Sequence, residues 1–337
     1  MRCIIPAAGK GTRLRPQTHT KPKALLSLSN RPIISHILDS VIEAGITEII
    51  IIVGYEKEKL IEYIKLNHSQ NCDLIFIEQK ERKGLGHAIY TALEYLDGEP
   101  VLIALGDSLY ENSFSQMVQE FNKYPEWDGA ITIKEVNNPQ SYGIVITEED
   151  SVIIKEVEEK PKHPRSSKAI TGIYIIRNSL KLNYALSELL KRNQLGISGE
   201  IQLTDALQLI IERGGILGTI DSGKWFDCGK KAALLSANEY VLSKKDQPSI
   251  KSRLNNSIII PPVAIAENCM IINSIIGPYV SIDKGTHIER SIISSSIIGA
   301  HTAIKNASIH DSLVGDEVEL KGGLTDLDIG DHSKIQT

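Results

Sequence analysis

The chain has 337 residues, of which 42% are hydrophobic and 23% charged, an ordinary globular composition long enough for two cores. Lys and Arg number 37 against 42 Asp and Glu, a formal charge of −5, so no broad basic field serves nucleic acid and any phosphate must be held locally. No apolar run approaches membrane-spanning length, and Cys3, Cys72, Cys228 and Cys269 lie far apart without a Cys-x-x-Cys pair; this argues against a membrane partner, a disulfide framework or a zinc site, and a cytoplasmic enzyme is expected.

Ile4 to Ala8 reads as a short buried strand that runs into Gly9-Lys10-Gly11-Thr12-Arg13-Leu14-Arg15-Pro16 and then Lys21-Pro22-Lys23. Two glycines let a loop turn tightly and bring its N–H groups to an anion, while Arg13 and Lys23 can place fixed positive charge on the same phosphates. A nucleoside triphosphate site is the reading. It is neither of the two commoner phosphate loops, because Walker A spaces its glycines differently and the dinucleotide fingerprint needs Gly where Leu14 stands.

After Pro32 the spacing of Ile33, Ile34, Ile37, Leu38, Val41 and Ile42 predicts a helix closed by Gly45. Then come a strand at Ile49 to Val53, a helix at Glu56 to Leu66, a strand at Leu74 to Ile77, a helix at His87 to Leu96, and a strand at Val101 to Leu105 ending on Gly106-Asp107. Such alternation marks a parallel sheet wrapped by helices. Ligands of open α/β sheets sit beyond the carboxyl ends of strands, so the loops bearing Gly9 to Arg13, Gly54, Gln79 to Gly84 and Asp107 should converge.

From 129 to 176 the pattern turns to strands with short links, at Ile131 to Val136, Gly143 to Thr147, Val152 to Val157 and Ile170 to Ile176. Helices near Leu180 to Lys191 and Ile201 to Arg213, a strand at Ile216 to Ile220 and a helix at Ala232 to Leu242 follow. The polar stretch from Ser243 reads as a linker. Beyond 257, Ile265, Ile271, Ile276, Ile282, Ile288, Ile298, Ile304, Val314, Leu320, Ile329 and Ile335 recur every six or five residues, several before Gly or a small or acidic residue. Units of about six residues build a parallel β-helix with one aliphatic side chain per strand in a stacked interior. The irregular spacing between 288 and 314 predicts protruding loops.

The string Gly9 to Pro16 with Pro22-Lys23 resembles the Gly-x-Gly-Thr-Arg-Leu-x-Pro and Pro-Lys signature of the sugar-1-phosphate nucleotidyltransferases, the nucleoside-diphosphate-sugar pyrophosphorylases. The resemblance implies a Rossmann-like, GT-A-like mixed-sheet nucleotidyltransferase domain over 1–242, a linker over 243–256 and a left-handed parallel β-helix of hexapeptide repeats over 257–337. It implies transfer of a nucleotidyl group from dTTP or UTP to glucose-1-phosphate with Mg2+ on Asp107 and Asp227, which match the family's Gly-Asp and Trp-x-Asp-x-Gly positions. Magnesium takes one or two carboxylates and fills its shell with phosphates and water.

By the same resemblance Ala8, Gly9, Gly11, Thr12 and Arg13 hold the triphosphate, Lys23 neutralises charge near the α-phosphate, and Gln79 and Gly84 meet the base. An amide carries a donor and an acceptor side by side, suited to a pyrimidine edge. Glu159-Lys160-Pro161 matches the family's Glu-Lys-Pro, with Glu159 toward sugar hydroxyls and Lys160 toward the sugar phosphate; Tyr142, Gly143, Thr171, Gly172 and Tyr174 match further sugar-site positions. His87 is read as structural, since the transfer needs no added base. Gly84 to Ala88, Gly199 to Ala206 and Asp227-Cys228-Gly229 resemble uridylyltransferases, whereas Thr171 to Tyr174, Trp225 and the overall plan resemble long thymidylyltransferases; Ser108 after Asp107 departs from both, and the base stays open. Two alternatives stand beside this one. In the first the repeats form an amino-sugar acetyltransferase using His287, His301 or His310. In the second the chain is a non-catalytic regulator, against which the retained Gly11, Arg13, Lys23, Asp107, Lys160 and Asp227 argue. The repeats are expected to serve a homo-oligomer or regulation.

Overall fold

The structure is a computed structural model that describes residues 1–192, 199–244, 252–322 and 326–336. By its contacts the chain divides into two compact units, one made of Met1–Gly9 and Ile37–Trp225, the other of Lys10–His36 and Phe226–Thr337.

The first unit is built on a nine-stranded mixed sheet among the described residues. Arg2–Pro6 lies between the parallel strands Glu48–Val53 and Val101–Ala104, with Ile4 opposite both Ile50 and Ile103. Asp73–Glu78 continues the parallel set at one edge. On the other side Lys168–Ile176 runs antiparallel to Val101–Ala104 and to Gly129–Glu135. Gly143–Thr147 and Ile154–Glu159 extend that side, and Leu217–Asp221 joins Gly129–Glu135 in parallel. Ile49 to Val53 are all buried, which is why this stretch reads as an unbroken apolar run: helices cover both faces of a parallel sheet.

The helices fall close to their sequence positions, at Lys57–His68, Leu85–Ala92, Ser179–Lys191 and Leu203–Glu212. One helix was not read from the sequence, Phe114–Asn122. Ser113 and Gln116 form a capping box at its start, and Phe114, Met117 and Phe121 bury one face. That signal, Ser-x-x-Gln before an apolar period, is present in the chain.

In the second unit the repeats form a left-handed parallel β-helix whose three sides stack in register. Ile265, Ile282, Ile298, Val314 and Ile329 make one ladder. Ile271, Ile288, Ile304, Leu320 and Ile335 make the second, and Ile259, Ile276, Ile293 and Ile309 the third. One coil therefore takes 15 to 17 residues. The loops expected between 288 and 314 are absent: Ile292–Ile293, Ile297–Ile298, Ala303–Lys305 and Ser308–Ile309 carry the coils straight through. The sides are five or six residues long, as the recurrence predicts, and Ile293 and Ile309 are rungs beyond those that the sequence reading names.

Corner N–H groups inside the coils are met by small hydroxyl residues of the preceding turn. Ser291 N donates to Ser274 Oγ at 3.1 Å, Ala307 N to Ser291 Oγ at 3.2 Å and Ser312 N to Ser296 Oγ at 3.1 Å. Buried backbone groups are thereby satisfied where no strand partner exists. Of the linker expected over 243–256, residues 245–251 lie outside those described; the helix Lys231–Lys244 reaches its start and the strand Arg253–Asn255 occupies its end.

Candidate functional site

The Gly-rich turn is set by Gly11, whose backbone (φ 60°, ψ 33°) is left-handed and opens the short 3-10 turn Thr12–Leu14. A Cβ at Gly11 would lie 3.0 Å from Thr18 Cγ2 and 3.1 Å from Lys23 Cβ, so glycine is required by conformation and by space alike. Thr18 Oγ1 donates to Gly11 O at 2.8 Å, and Leu14 N closes the turn on the same carbonyl at 2.9 Å. The leading N–H groups of such a turn have no acceptor within it.

Lys23 is only 8% exposed, and its Nζ stands 3.7 Å from Asp227 Oδ1. Gly229 leaves room beside them: a Cβ there would be 2.9 Å from Asp227 Oδ1 and 3.3 Å from Arg13 Nη2. The second unit thus brings Gly11, Thr12, Arg13, Lys23 and Asp227 into one neighbourhood although more than 200 positions separate the ends of that set. Arg13 and Lys23 thus place two cationic groups in that neighbourhood, the charge type that pairs with phosphate oxygens.

The first unit holds the remaining candidates. Ala8 ends the run from Arg2–Pro6, and a Cβ on Gly54 would meet Ala8 Cβ at 2.9 Å; a Cβ at Gly9 would meet nothing within 4 Å. Gly106 passes equally close to Pro6 O, at 2.9 Å from where its Cβ would be, and delivers the half-buried Asp107 at the carboxyl end of Val101–Ala104. Asp107 and Asp227 belong to different units. Gln79 is 8% exposed, and its Nε2 donates to Gly84 O at 3.1 Å; that bond fixes which way the amide faces. Gly84 adopts φ 99°, ψ 177°, a conformation that side chains other than hydrogen do not tolerate.

Glu159 pairs in register with Gly143 across the hairpin, and its Oε2 accepts from Thr204 Oγ1 at 2.7 Å. A Cβ on Gly143 would sit 3.0 Å from that same carboxylate oxygen. Lys160 is held at φ 41°, with its N–H on Tyr142 O at 3.1 Å and its Nζ 3.4 Å from Glu159 Oε1. Left-handed backbone at a lysine costs energy and is retained where the surroundings fix it. The Tyr142 ring meets Trp225 edge-on, centroids 5.0 Å apart.

Thr171 and Tyr174 are buried; Thr171 Oγ1 lies 2.7 Å from Thr132 Oγ1 and Thr171 O accepts from Tyr110 OH at 2.9 Å. Gly172, at φ 104°, comes so near Leu105 that a Cβ would lie 2.5 Å from Leu105 Cδ1. Burial pushes the Asp205 carboxyl above the usual carboxylate range, and nearby Glu159 pushes it further. Thr204, Asp205 and Trp225 are the neighbours that motif reading left without a role. Gly199 to Ala206 carries the first two in sequence, but only folding shows that Thr204 grips Glu159.

The two candidate metal residues, Asp107 and Asp227, each offer carboxylate oxygens, and among the described residues no group of three or more His, Cys, Asp or Glu gathers as a metal centre. That donor set fits a hard cation completing its shell from phosphate and water, not zinc.

The chain is a transferase by family: residues 2–244 match the nucleotidyl transferase family, and the chain belongs to that family. It is 34% identical to the bifunctional protein GlmU of Methanocaldococcus jannaschii, over 94% of this chain and 78% of that one. It is 29% identical to a glucose-1-phosphate thymidylyltransferase of Streptomyces antibioticus over 100% of this chain and 99% of that one. The structure of a UDP-glucose pyrophosphorylase complexed with UDP-glucose superposes with a TM-score of 0.64 at 30% identity, covering 72% of this chain and 99% of that one. No helix among the described residues is long and apolar enough to cross a membrane.

Proposed function

We propose that the protein transfers the nucleotidyl group of dTTP or UTP to glucose-1-phosphate and releases pyrophosphate. The observation that carries this reading is the gathering of Arg13, Lys23 and Asp227 at the Gly11 turn in a chain of this family. An anionic oxygen of the sugar phosphate attacks the α-phosphorus in line, the α–β phosphoanhydride bond breaks, and pyrophosphate leaves. Positioning and charge stabilisation supply the acceleration, with no covalent step on the enzyme.

In this mechanism Arg13 and the N–H groups of the Ala8 to Arg13 segment hold the β- and γ-phosphates, and Lys23 offsets charge at the α-phosphate. Asp107 and Asp227 would hold Mg2+, which when bound neutralises phosphate oxygens and sets their geometry. Gln79 keeps one N–H on Gly84 O, leaving its second N–H and its oxygen for the pyrimidine edge. Neither atom distinguishes thymine from uracil, so both triphosphates remain in the proposal.

On the acceptor side, Glu159, oriented by Thr204, accepts from sugar hydroxyls, and Lys160 meets the sugar phosphate. Gly143 leaves room for the pyranose beside Tyr142, while Thr171, Gly172 and Tyr174 form its backing. The buried Trp225 Nε1 has no hydrogen-bond partner within the described protein, and an orphan donor beside Tyr142 is suited to a sugar hydroxyl. The test is pyrophosphate release over a grid of five nucleoside triphosphates against glucose-, galactose-, mannose- and N-acetylglucosamine-1-phosphates with magnesium. A dominant dTTP or UTP cell with glucose-1-phosphate supports the reading, and no turnover in any cell refutes it.

The similarity to a bifunctional GlmU along 94% of this chain favours one second reading, acetyl transfer to an amino sugar by the repeats. His310 is about half exposed and 3.5 Å from Asp311, His287 is 3.9 Å from Glu289, and His301 packs over Gly285. Thiol release from acetyl-CoA with an amino-sugar phosphate would establish it.

A further inference from the structure

The triphosphate turn belongs to a stretch, Lys10–His36, that clusters with the β-helix. Apart from two 3-10 turns, the two-residue strands Ser27–Leu28 and Arg31–Pro32, and the first turn of the helix Ile33–Glu43, that stretch is irregular. Irregular backbone has many competing conformations, so something else must select one. The contacts between Pro16 and Lys21, which lie between Arg13 and Lys23 in sequence, show what does so.

Gly299, Gly315 and Gly330 stack at one corner of successive coils. A Cβ on Gly299 would be 2.5 Å from Asp316 Oδ1, and one on Gly315 would be 2.4 Å from Asp331 Oδ1. The two aspartates are thereby held as rungs: Asp316 Oδ1 accepts from Ala300 N at 3.0 Å and Asp331 Oδ1 from Asp316 N at 2.7 Å. Their other oxygens turn to the irregular stretch. Lys21 Nζ donates to Asp316 Oδ2 at 2.5 Å and stands 3.6 Å from Asp331 Oδ1, and Thr20 Oγ1 donates to Asp331 Oδ2.

Gln17, only 5% exposed, donates through Nε2 to Ile329 O at 2.8 Å, with Leu313 O at 3.2 Å and Asp328 Oδ1 at 3.1 Å. Pro16 rests on the last corner, 2.9 Å from where a Cβ of Gly330 would be. Charge, amide and ring contacts thus all fall on one edge of the β-helix, and at Lys21 the two aspartates lie on one ammonium whose side chain is 19% exposed.

We propose that this corner of the repeats is a working part of the triphosphate site, with Gln17, Lys21, Asp316 and Asp331 acting as positioning residues that hold Arg13 and Lys23 in their triphosphate-binding arrangement. None of the four touches substrate in this account. The repeats then serve catalysis directly, whatever they do for assembly. The inference rests on the nucleotidyltransferase reading for its consequence in turnover, but not for its structural content.

The experiment compares full-length wild type with Lys21→Met and Lys21→Arg. In Lys21→Met, backbone amide exchange in a peptide covering residues 10–22 should accelerate tenfold or more, and the KM for the triphosphate should rise about tenfold. The KM for glucose-1-phosphate should stay within twofold. Lys21→Arg, which keeps the charge, should return both readouts to within threefold of wild type. A triphosphate KM and exchange within twofold of wild type in Lys21→Met overturn the proposal; so does an equal rise of both KM values with faster exchange throughout the chain, the mark of general destabilisation. Should wild type turn over no triphosphate at all, the functional reading fails, and the exchange comparison still decides whether Lys21 holds the stretch.

Discussion

Replacing Gly84 by alanine tests the proposed base site where geometry is tightest. At φ 99° and ψ 177° an L side chain costs about 1–3 kcal/mol in backbone strain. The new Cβ would also stand 2.6 Å from Ile201 O, 3.0 Å from Ile201 N and 2.9 Å from Glu200 Cβ, two of them backbone atoms with no rotamer to yield. Two backbone bonds lace this place together, Ile201 N to Lys83 O at 2.7 Å and Gly86 N to Ile201 O at 2.8 Å, each worth about 1 kcal/mol net. The loop should relieve the clash by peeling from Ile201, which withdraws Gly84 O from Gln79. Losing that platform should raise the triphosphate KM tenfold to a hundredfold, equivalent to about 1.4–2.8 kcal/mol, with glucose-1-phosphate KM changed less than threefold. Initial rates at saturating acceptor, with circular-dichroism melts run alongside, provide the assay. A Gly84→Ala enzyme with wild-type triphosphate KM and melting temperature would refute the reasoning.

Lys23→Met should lower kcat by about a hundredfold, from roughly 3 kcal/mol of lost charge stabilisation, and stopped-time product assays with unchanged circular dichroism check it. Gly218→Val should lower the melting temperature by roughly 6 °C or more, because its Cβ would fall 2.3 Å from the Trp127 ring and overpacking of that kind costs about 3 kcal/mol; an unchanged melt would contradict it. Burial pushes the Asp283 carboxyl above its usual range, and Asp316 pushes the same way while Lys21 and Lys284 oppose. A raised folded-state value means that Asp283 supports the fold fully below the ordinary carboxylate range and loses that support as pH climbs through the raised value. Asp283→Asn should therefore melt higher than wild type at pH 8 and lose the advantage at pH 4; an equal difference at both pH values would sink this.

The sheet strands were legible because parallel strands covered on both faces are written as apolar runs, as at Ile49 to Val53. The Gly-rich turn was legible for a different reason: Gly11 must take a left-handed backbone and leave space for Thr18 and Lys23, so few residue strings can replace it. Periodicity failed where an element's rhythm varies. A recurrence of five or six residues does not by itself say which aliphatic side chain is the inward rung, and it leaves Ile293 and Ile309 unnamed. The helix Phe114–Asn122 carries its capping box in the sequence, but nine residues between two strands give an apolar period of little more than two turns, too short to mark a helix by rhythm alone. Contacts made at long separation were out of reach altogether. Nothing in Thr204 announces that it orients Glu159, and nothing in Lys21 announces that Asp316 and Asp331 wait about 300 residues on.

Nucleotidyl transfer to a sugar phosphate by direct displacement leaves the α-phosphorus on the sugar product. With α-phosphate-labelled dTTP or UTP, magnesium and glucose-1-phosphate, separation of the products should find the label in the nucleoside-diphosphate-glucose and unlabelled pyrophosphate released in equal amount. Label left entirely in nucleoside mono- or diphosphate, with no sugar attached, would contradict it.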